Sequence, residues 1–87
     1  MHVRVISPER VGFDGDAVSL VAPAYDGWVG ILRGHAPMTV LLGEGELRVR
    51  SSGGEVRHLR VARGFLQVID DEVTVLAEEV GEVGADS

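Results

Sequence analysis

No stretch of this 87-residue chain keeps a helical period. Nowhere do about eleven or more residues repeat their apolar positions every three to four residues, as an amphipathic helix requires. Apolar and polar residues instead alternate in short runs, most clearly in Glu46-Leu47-Arg48-Val49-Arg50, where Leu47 and Val49 would share the inward face. Turn signals separate these runs at intervals of roughly 8–12 residues. The pattern predicts an all-β fold, a flattened antiparallel sandwich or barrel of short strands.

Acidic and glycine-containing pairs mark several of the predicted turns. Asp14-Gly15 and Asp26-Gly27 are favoured hairpin pairs, and Asp70-Asp71 separates the last two strong strands. The alternation stumbles at His58-Leu59, which predicts a β-bulge there.

Charge is distributed unevenly along a chain short enough for one domain only. All eight basic residues are arginines, and they lie before Gln67, whereas seven acidic residues follow Gln67 without a base. We therefore expect a sandwich over residues 1–78 and an acidic, frayed tail over residues 79–87. An acidic chain with few aromatic residues also argues against nucleic-acid binding.

The residues that could carry chemistry do not form a known constellation. The absence of cysteine excludes disulfides, thiolate metal sites and cysteine nucleophiles. His2, His35 and His58 are scattered without the spacing of a zinc site, and no serine has a glycine-flanked nucleophile elbow. Gly43-Glu44-Gly45-Glu46 is typical of a hairpin rather than a phosphate loop. The sequence therefore predicts a binding module with no catalytic residue, metal or cofactor, and its N-terminus shows neither a signal peptide nor a membrane span.

The stretch from Trp28 to Met38 differs from an ordinary hairpin. A short apolar strand leads into a turn that contains Gly34 and Pro37. Gly34 can adopt a positive φ, and Pro37 fixes its own φ, so we expect a stiff loop that presents His35. Trp28, the only tryptophan, would more often belong to the core of so small a domain, although its position after a turn also suits a contact surface.

Residues 27–38 resemble the glycine, aliphatic, Pro-Gly-His-Ala-Pro-Leu signature of the epsilon subunit of the F-type ATP synthase, called delta in mitochondria. Leu41 to Val49 is similar to the lysine-proline-glycine hairpin of that family. The resemblance covers nearly the whole chain in order, through five segments: residues 3–15, 27–38, 41–49, 63–68 and 73–78.

The resemblance implies a sandwich of two five-stranded sheets at the foot of the rotating central stalk. Such a subunit has no active site; it links the gamma subunit to the membrane-embedded c ring and couples proton flow to ATP synthesis. It also implies a peripheral position at the cytoplasmic face of a bacterial inner membrane. By the same resemblance, the c-ring-facing residues would be Trp28, Arg33, Gly34, His35, Ala36 and Pro37, and the gamma-facing residues would be Ser7, Val40, Leu41, Leu42 and Glu44.

The chain departs from the family pattern in three places. Arg33 stands where a proline usually precedes Gly-His, and Arg63 stands where glycine is usual. The C-terminal helical hairpin that inhibits ATP hydrolysis in this family has no counterpart in residues 79–87. We therefore expect a subunit that couples without that brake, either as a natural short form or as a piece cut before the helices.

Two other functions fit a small acidic β-domain. A lipoyl or biotinyl carrier needs a lysine for covalent attachment, and this chain contains none. A stand-alone sandwich that acts as an adaptor for an unrelated partner remains the alternative.

Overall fold

The computed structural model describes residues 1–83 and is all-β, as the sequence predicts. The eight strands are β1 (His2–Ile6), β2 (Val11–Asp16), β3 (Ser19–Ala24), β4 (Gly27–Leu32), β5 (Met38–Leu42), β6 (Gly45–Arg50), β7 (Val56–Ile69) and β8 (Glu72–Glu82).

Hydrogen bonds join these strands into one continuous sheet that folds over into two layers. The strand order is β2-β1-β8-β7-β5-β3-β4, with β6 paired to both β3 and β7. Strands β7 and β8 run through both layers. The first layer contains β2, β1, β5 and one half each of β7 and β8; the second contains β4, β3, β6 and the other two halves. Each layer thus has five strand segments, as the family resemblance implies, but eight strands supply them rather than ten.

The fold between the layers lies at Arg63. Leu59 and Val61 face the core before this point, whereas Leu66 and Val68 face it afterwards, so the inward side changes from odd to even residue numbers. Arg63 itself has a left-handed φ of 57°. Strands that pass from one layer to the next need such a local change in direction.

The prediction of a β-bulge at His58-Leu59 is wrong. Both residues pair in an uninterrupted ladder with β6, as His58↔Arg48 and Leu59↔Leu47. The alternation is irregular in the sequence because Val56 is apolar but lies on the opposite side of β7 from the buried Leu59 and Val61.

Strand β1 lies between β2 and β8 and pairs with them in opposite senses. It is antiparallel to β2 but parallel to β8, in the register Val3↔Val73 and Val5↔Val75. All four valines are fully buried, so this pairing forms the centre of the first layer. The sequence predicts only antiparallel pairing, because short alternating runs carry no signal for strand direction.

The predicted turns have mixed outcomes. Asp70-Asp71 is a two-residue hairpin turn with both φ angles positive, and Gly27 follows a turn at Tyr25-Asp26. Asp14-Gly15, by contrast, does not form a turn. Both residues belong to β2, where they pair with Arg4 and Val3, and the chain turns only after Asp16.

The predicted tail begins too early. Residues 79–82 continue β8 and pair with residues 59–62, and Val80 is buried in the core. The prediction of a frayed tail is therefore wrong for residues 79–82. The strand is hard to recognise in the sequence because its alternation is interrupted at the bend. Residues 84–87 lie outside the described part. Residues 1–83 contain no helix of the length and hydrophobicity that crossing a membrane requires.

Candidate docking surfaces

The segment from Arg33 to Pro37, here called the docking loop, connects β4 of one layer to β5 of the other. Gly34 has a φ of 79°, the left-handed conformation that the sequence predicts. The N–H of His35 donates to the carbonyl oxygen of Leu32 at 3.2 Å, which closes the turn. His35 Nδ1 lies 2.7 Å from the Ala36 carbonyl oxygen; because that oxygen can only accept, Nδ1 carries the proton and donates. The loop therefore has a defined conformation, with its histidine ring held to the backbone.

An acidic residue outside the predicted site fastens this loop to the rest of the protein. The N–H of Gly34 donates to Asp71 Oδ1 at 2.7 Å. Asp71 lies in the β7–β8 turn, and its carbonyl oxygen accepts the N–H of His2 at 2.9 Å. Sequence reasoning assigned Asp71 to a turn and missed this contact, because nothing in the sequence places residues 34 and 71 side by side.

Trp28 lies apart from the loop residues with which the resemblance groups it. It is the second residue of β4, so the five-residue rise to Arg33 puts it roughly 16 Å from the start of the docking loop. Its side chain is 62% exposed, so the prediction that it packs in the core is wrong. Val29 and Ile31 supply the inward side of this edge strand, which leaves Trp28 and Leu32 on its outer side.

A second surface crosses the outer face of the first layer. Cross-strand register aligns Ile6 with Leu76, Leu76 with Phe65, and Phe65 with Leu41. These four residues, here called the apolar row, span β1, β8, β7 and β5. Leu41 is 63% exposed, and Phe65 and Leu76 are 38% and 39% exposed. Large apolar side chains aligned across four strands form a contiguous patch, which is typical of a protein-binding surface.

A shallow groove of about 350 Å³ runs along part of this row. Apolar side chains line most of it, and Arg63 and Glu78 lie at one side, joined by a 2.9 Å ion pair. Ser7 lines the groove but is only 8% exposed. Its hydroxyl oxygen accepts the N–H groups of Glu9 and Arg10 at 3.3 and 3.2 Å, so the hydroxyl already caps the turn after β1.

The other residues that the resemblance assigns to gamma divide by burial. Leu41 and Glu44 are exposed and Val40 is half-buried, but Leu42 is only 7% exposed and packs in the core. The structure therefore brings Ser7 and Leu41 to one face and adds Phe65 and Leu76 between them. Phe65 has a readable signal, because Leu66 and Val68 are inward and their neighbours must then point outward.

Unlike His35, whose ring contacts a backbone carbonyl, His2 and His58 pair with carboxylates. His2 Nε2 lies 2.6 Å from Asp14 Oδ1 and Nδ1 lies 3.3 Å from Glu72 Oε1, and these contacts, led by the hydrogen bond to Asp14, raise the pKa of His2. His58 Nδ1 and Arg48 Nε both approach Glu46 Oε1, at 3.0 and 3.1 Å, and lower the pKa of Glu46. Within residues 1–83, no group of three or more histidine, cysteine or acidic side chains is placed to hold a metal ion.

The family model for the β-sandwich domain of the ATP synthase delta/epsilon chain matches residues 1–83. The chain belongs to this family. Curated relatives named ATP synthase epsilon chain are 40% identical in Leptospira borgpetersenii, 42% in Alkalilimnicola ehrlichii and 43% in a Nostoc species. These alignments cover 87–90% of this chain but only 56–61% of the relatives, so the chain spans little more than half of their length.

Two solved structures of ATP synthases each contain a chain with the same fold. The chain is similar to one in the Euglena gracilis mitochondrial ATP synthase, in a structure of the OSCP, F1 and c-ring, with a TM-score of 0.84 and 21% identity over 92% of this chain and 51% of that one. A second similar chain, in the Tetrahymena thermophila mitochondrial ATP synthase central stalk and c-ring, has a TM-score of 0.77 and 19% identity. The match covers 94% of this chain and 66% of that one. At these identities the likeness concerns the fold alone.

Proposed function

We propose that this chain is a non-catalytic rotor component of a proton-translocating F-type ATP synthase. In this role the sandwich links the gamma subunit to the c ring at the cytoplasmic face of a bacterial membrane, so that both turn together during ATP synthesis. Family membership over residues 1–83 is the observation that carries the proposal. We assign the coupling contacts to these residues, and not the restraint of ATP hydrolysis.

The geometry supports two separate contacts. The apolar row provides a flat apolar face that suits a large protein partner, and we assign it to gamma. The docking loop lies at the end of the sandwich where β4 passes to β5, and we assign it to the c ring, with Trp28 as a further candidate. A part that transmits rotation needs such contacts on different sides of one stiff body.

Point variants should separate the two contacts. Leu41→Ser with Phe65→Ser should weaken retention of gamma, since each removes an exposed apolar side chain that the core does not need. Val21→Ser is the matched control, because Val21 is 36% exposed on the other layer. Arg33→Ala with His35→Ala should instead weaken retention on the c ring.

The measurements are co-purification with gamma and with detergent-solubilised c rings, followed by ATP-driven proton pumping in vesicles that contain the reconstituted enzyme. Folded variants that bind both partners as tightly as the unmodified chain would refute the surface assignments. A chain that binds neither partner would refute rotor coupling and favour the stand-alone adaptor.

A further inference from the structure

Among the described residues, one hydrogen bond joins the docking loop to the β7–β8 hairpin. The loop's other hydrogen bonds are local, from the His35 N–H to the end of β4 and from the His35 ring to Ala36. Within residues 1–83, the bond from the Gly34 N–H to Asp71 Oδ1 is the one that reaches a distant element, 37 residues away. A bond from an N–H to a carboxylate is stronger than one between neutral groups.

Asp71 is itself held firmly. It occupies the second position of a two-residue turn with a φ of 62°, and its carbonyl oxygen accepts the His2 N–H. The turn closes the β7–β8 hairpin, whose strands run through both layers of the sandwich. The carboxylate therefore fixes the loop to the most extensively paired part of the fold.

We propose that Asp71 is a positioning residue for ring binding: it holds Gly34 so that the docking loop is already in its binding conformation. This inference rests on the proposed function. Gly34 has no side chain within the loop to restrict it, so without the carboxylate its backbone can move among several conformations. Binding would then have to order the loop, which lowers affinity.

Three variants isolate this role. Asp71→Gly removes the carboxylate and accepts the positive φ without strain. Asp71→Asn keeps a side-chain oxygen acceptor, and asparagine tolerates the left-handed conformation. Asp70→Gly is the matched control, since Asp70 occupies the same turn with a φ of 51°. Each variant of the 87-residue chain is tested for amide exchange at Gly34 by NMR and for retention on detergent-solubilised c rings.

We expect Asp71→Gly to accelerate exchange of the Gly34 amide by about tenfold and to weaken ring retention several-fold. Asp71→Asn should keep most of the protection of the Gly34 amide and most of the ring retention. Asp70→Gly should match the unmodified chain in both measurements. Unchanged exchange in Asp71→Gly would overturn the proposal. Faster exchange with normal ring retention would also overturn it, while the proposed function stands if the variant with Arg33→Ala and His35→Ala loses the ring. If that double variant also keeps the ring, the proposed docking contact itself fails.

Discussion

The α-carbon of Gly64 approaches the carbonyl oxygen of Leu76 so closely that a Cβ at residue 64 would lie 1.8 Å from that oxygen. The same Cβ would also lie 2.6 Å from the Ala77 Cα. Both neighbours are backbone atoms, which cannot rotate away as a side chain can. The bend between the two layers therefore requires glycine at residue 64.

Gly64→Ala should destabilise the protein by about 3 kcal/mol or prevent folding, because β7 and β8 must separate to admit the methyl group. Gly81→Ala is the matched control in the same hairpin, since a Cβ at Gly81 meets no atom within 4 Å. Urea unfolding measures the free energy of unfolding of both variants. Equal loss of stability in the two variants would contradict the close approach as its cause.

Arg63, next to this glycine, combines a left-handed backbone with two ion pairs. Its Nε lies 2.9 Å from Glu78 Oε1 and its Nη2 lies 2.7 Å from Glu79 Oε2. Both Arg63→Gly and Arg63→Ala remove these contacts, but only glycine adopts the φ of 57° without strain. We expect Arg63→Gly to melt about 5 °C above Arg63→Ala in calorimetry. Equal melting temperatures would show that the backbone conformation is not strained.

The sequence predicts this region only in part. Arg63 is predicted as a departure from the family pattern, but no pattern in the sequence predicts its left-handed φ of 57°. The period-2 pattern identifies β6 and the pair of aspartates identifies the Asp70-Asp71 turn, because both signals depend on neighbouring residues. Such patterns have a limited reach. They do not reveal the parallel β1–β8 pairing or the Gly34–Asp71 contact, because those join residues that are distant in the chain. The apolar row also depends on the register of four strands, which a single strand's pattern does not fix.

The His2 cluster predicts a pH-dependent stability. The carboxylates of Asp14 on β2 and Glu72 on β8 face His2 and raise its pKa above the ordinary value of 6.5, while Arg4 Nε lies 3.8 Å from Asp14. Since the folded-state pKa exceeds the unfolded one, this stabilisation is complete below the unfolded pKa and is lost as pH rises through the folded pKa. We expect the urea concentration at the unfolding midpoint to decrease as the pH rises above about 6.5.

Asp14→Asn should reduce this pH dependence and return the NMR titration of His2 towards its ordinary range. Asp26→Asn, in the turn between β3 and β4, serves as the control. A His2 titration that does not move in Asp14→Asn would contradict the assigned cause.

Trp28 offers an optical test of its placement, since the chain contains no other tryptophan. In the free chain its exposed indole should be quenched readily by acrylamide, and Trp28→Ala should change the free energy of unfolding by less than about 1 kcal/mol. Addition of c rings should reduce the quenching if Trp28 lies at that contact. Unchanged quenching with c rings would remove Trp28 from the docking surface and leave the loop residues alone.

The parallel pairing of β1 with β8 also determines when the protein can fold during translation. Among the strands of residues 1–83, β1 is the first to leave the ribosome and β8 is the last. A nascent chain can form the β1–β2 hairpin, but one side of β1 stays unpaired until Val73 and Val75 emerge. The first layer is thus completed only after β8 has left the ribosome, and Val3 and Val5 must wait for their partners until then.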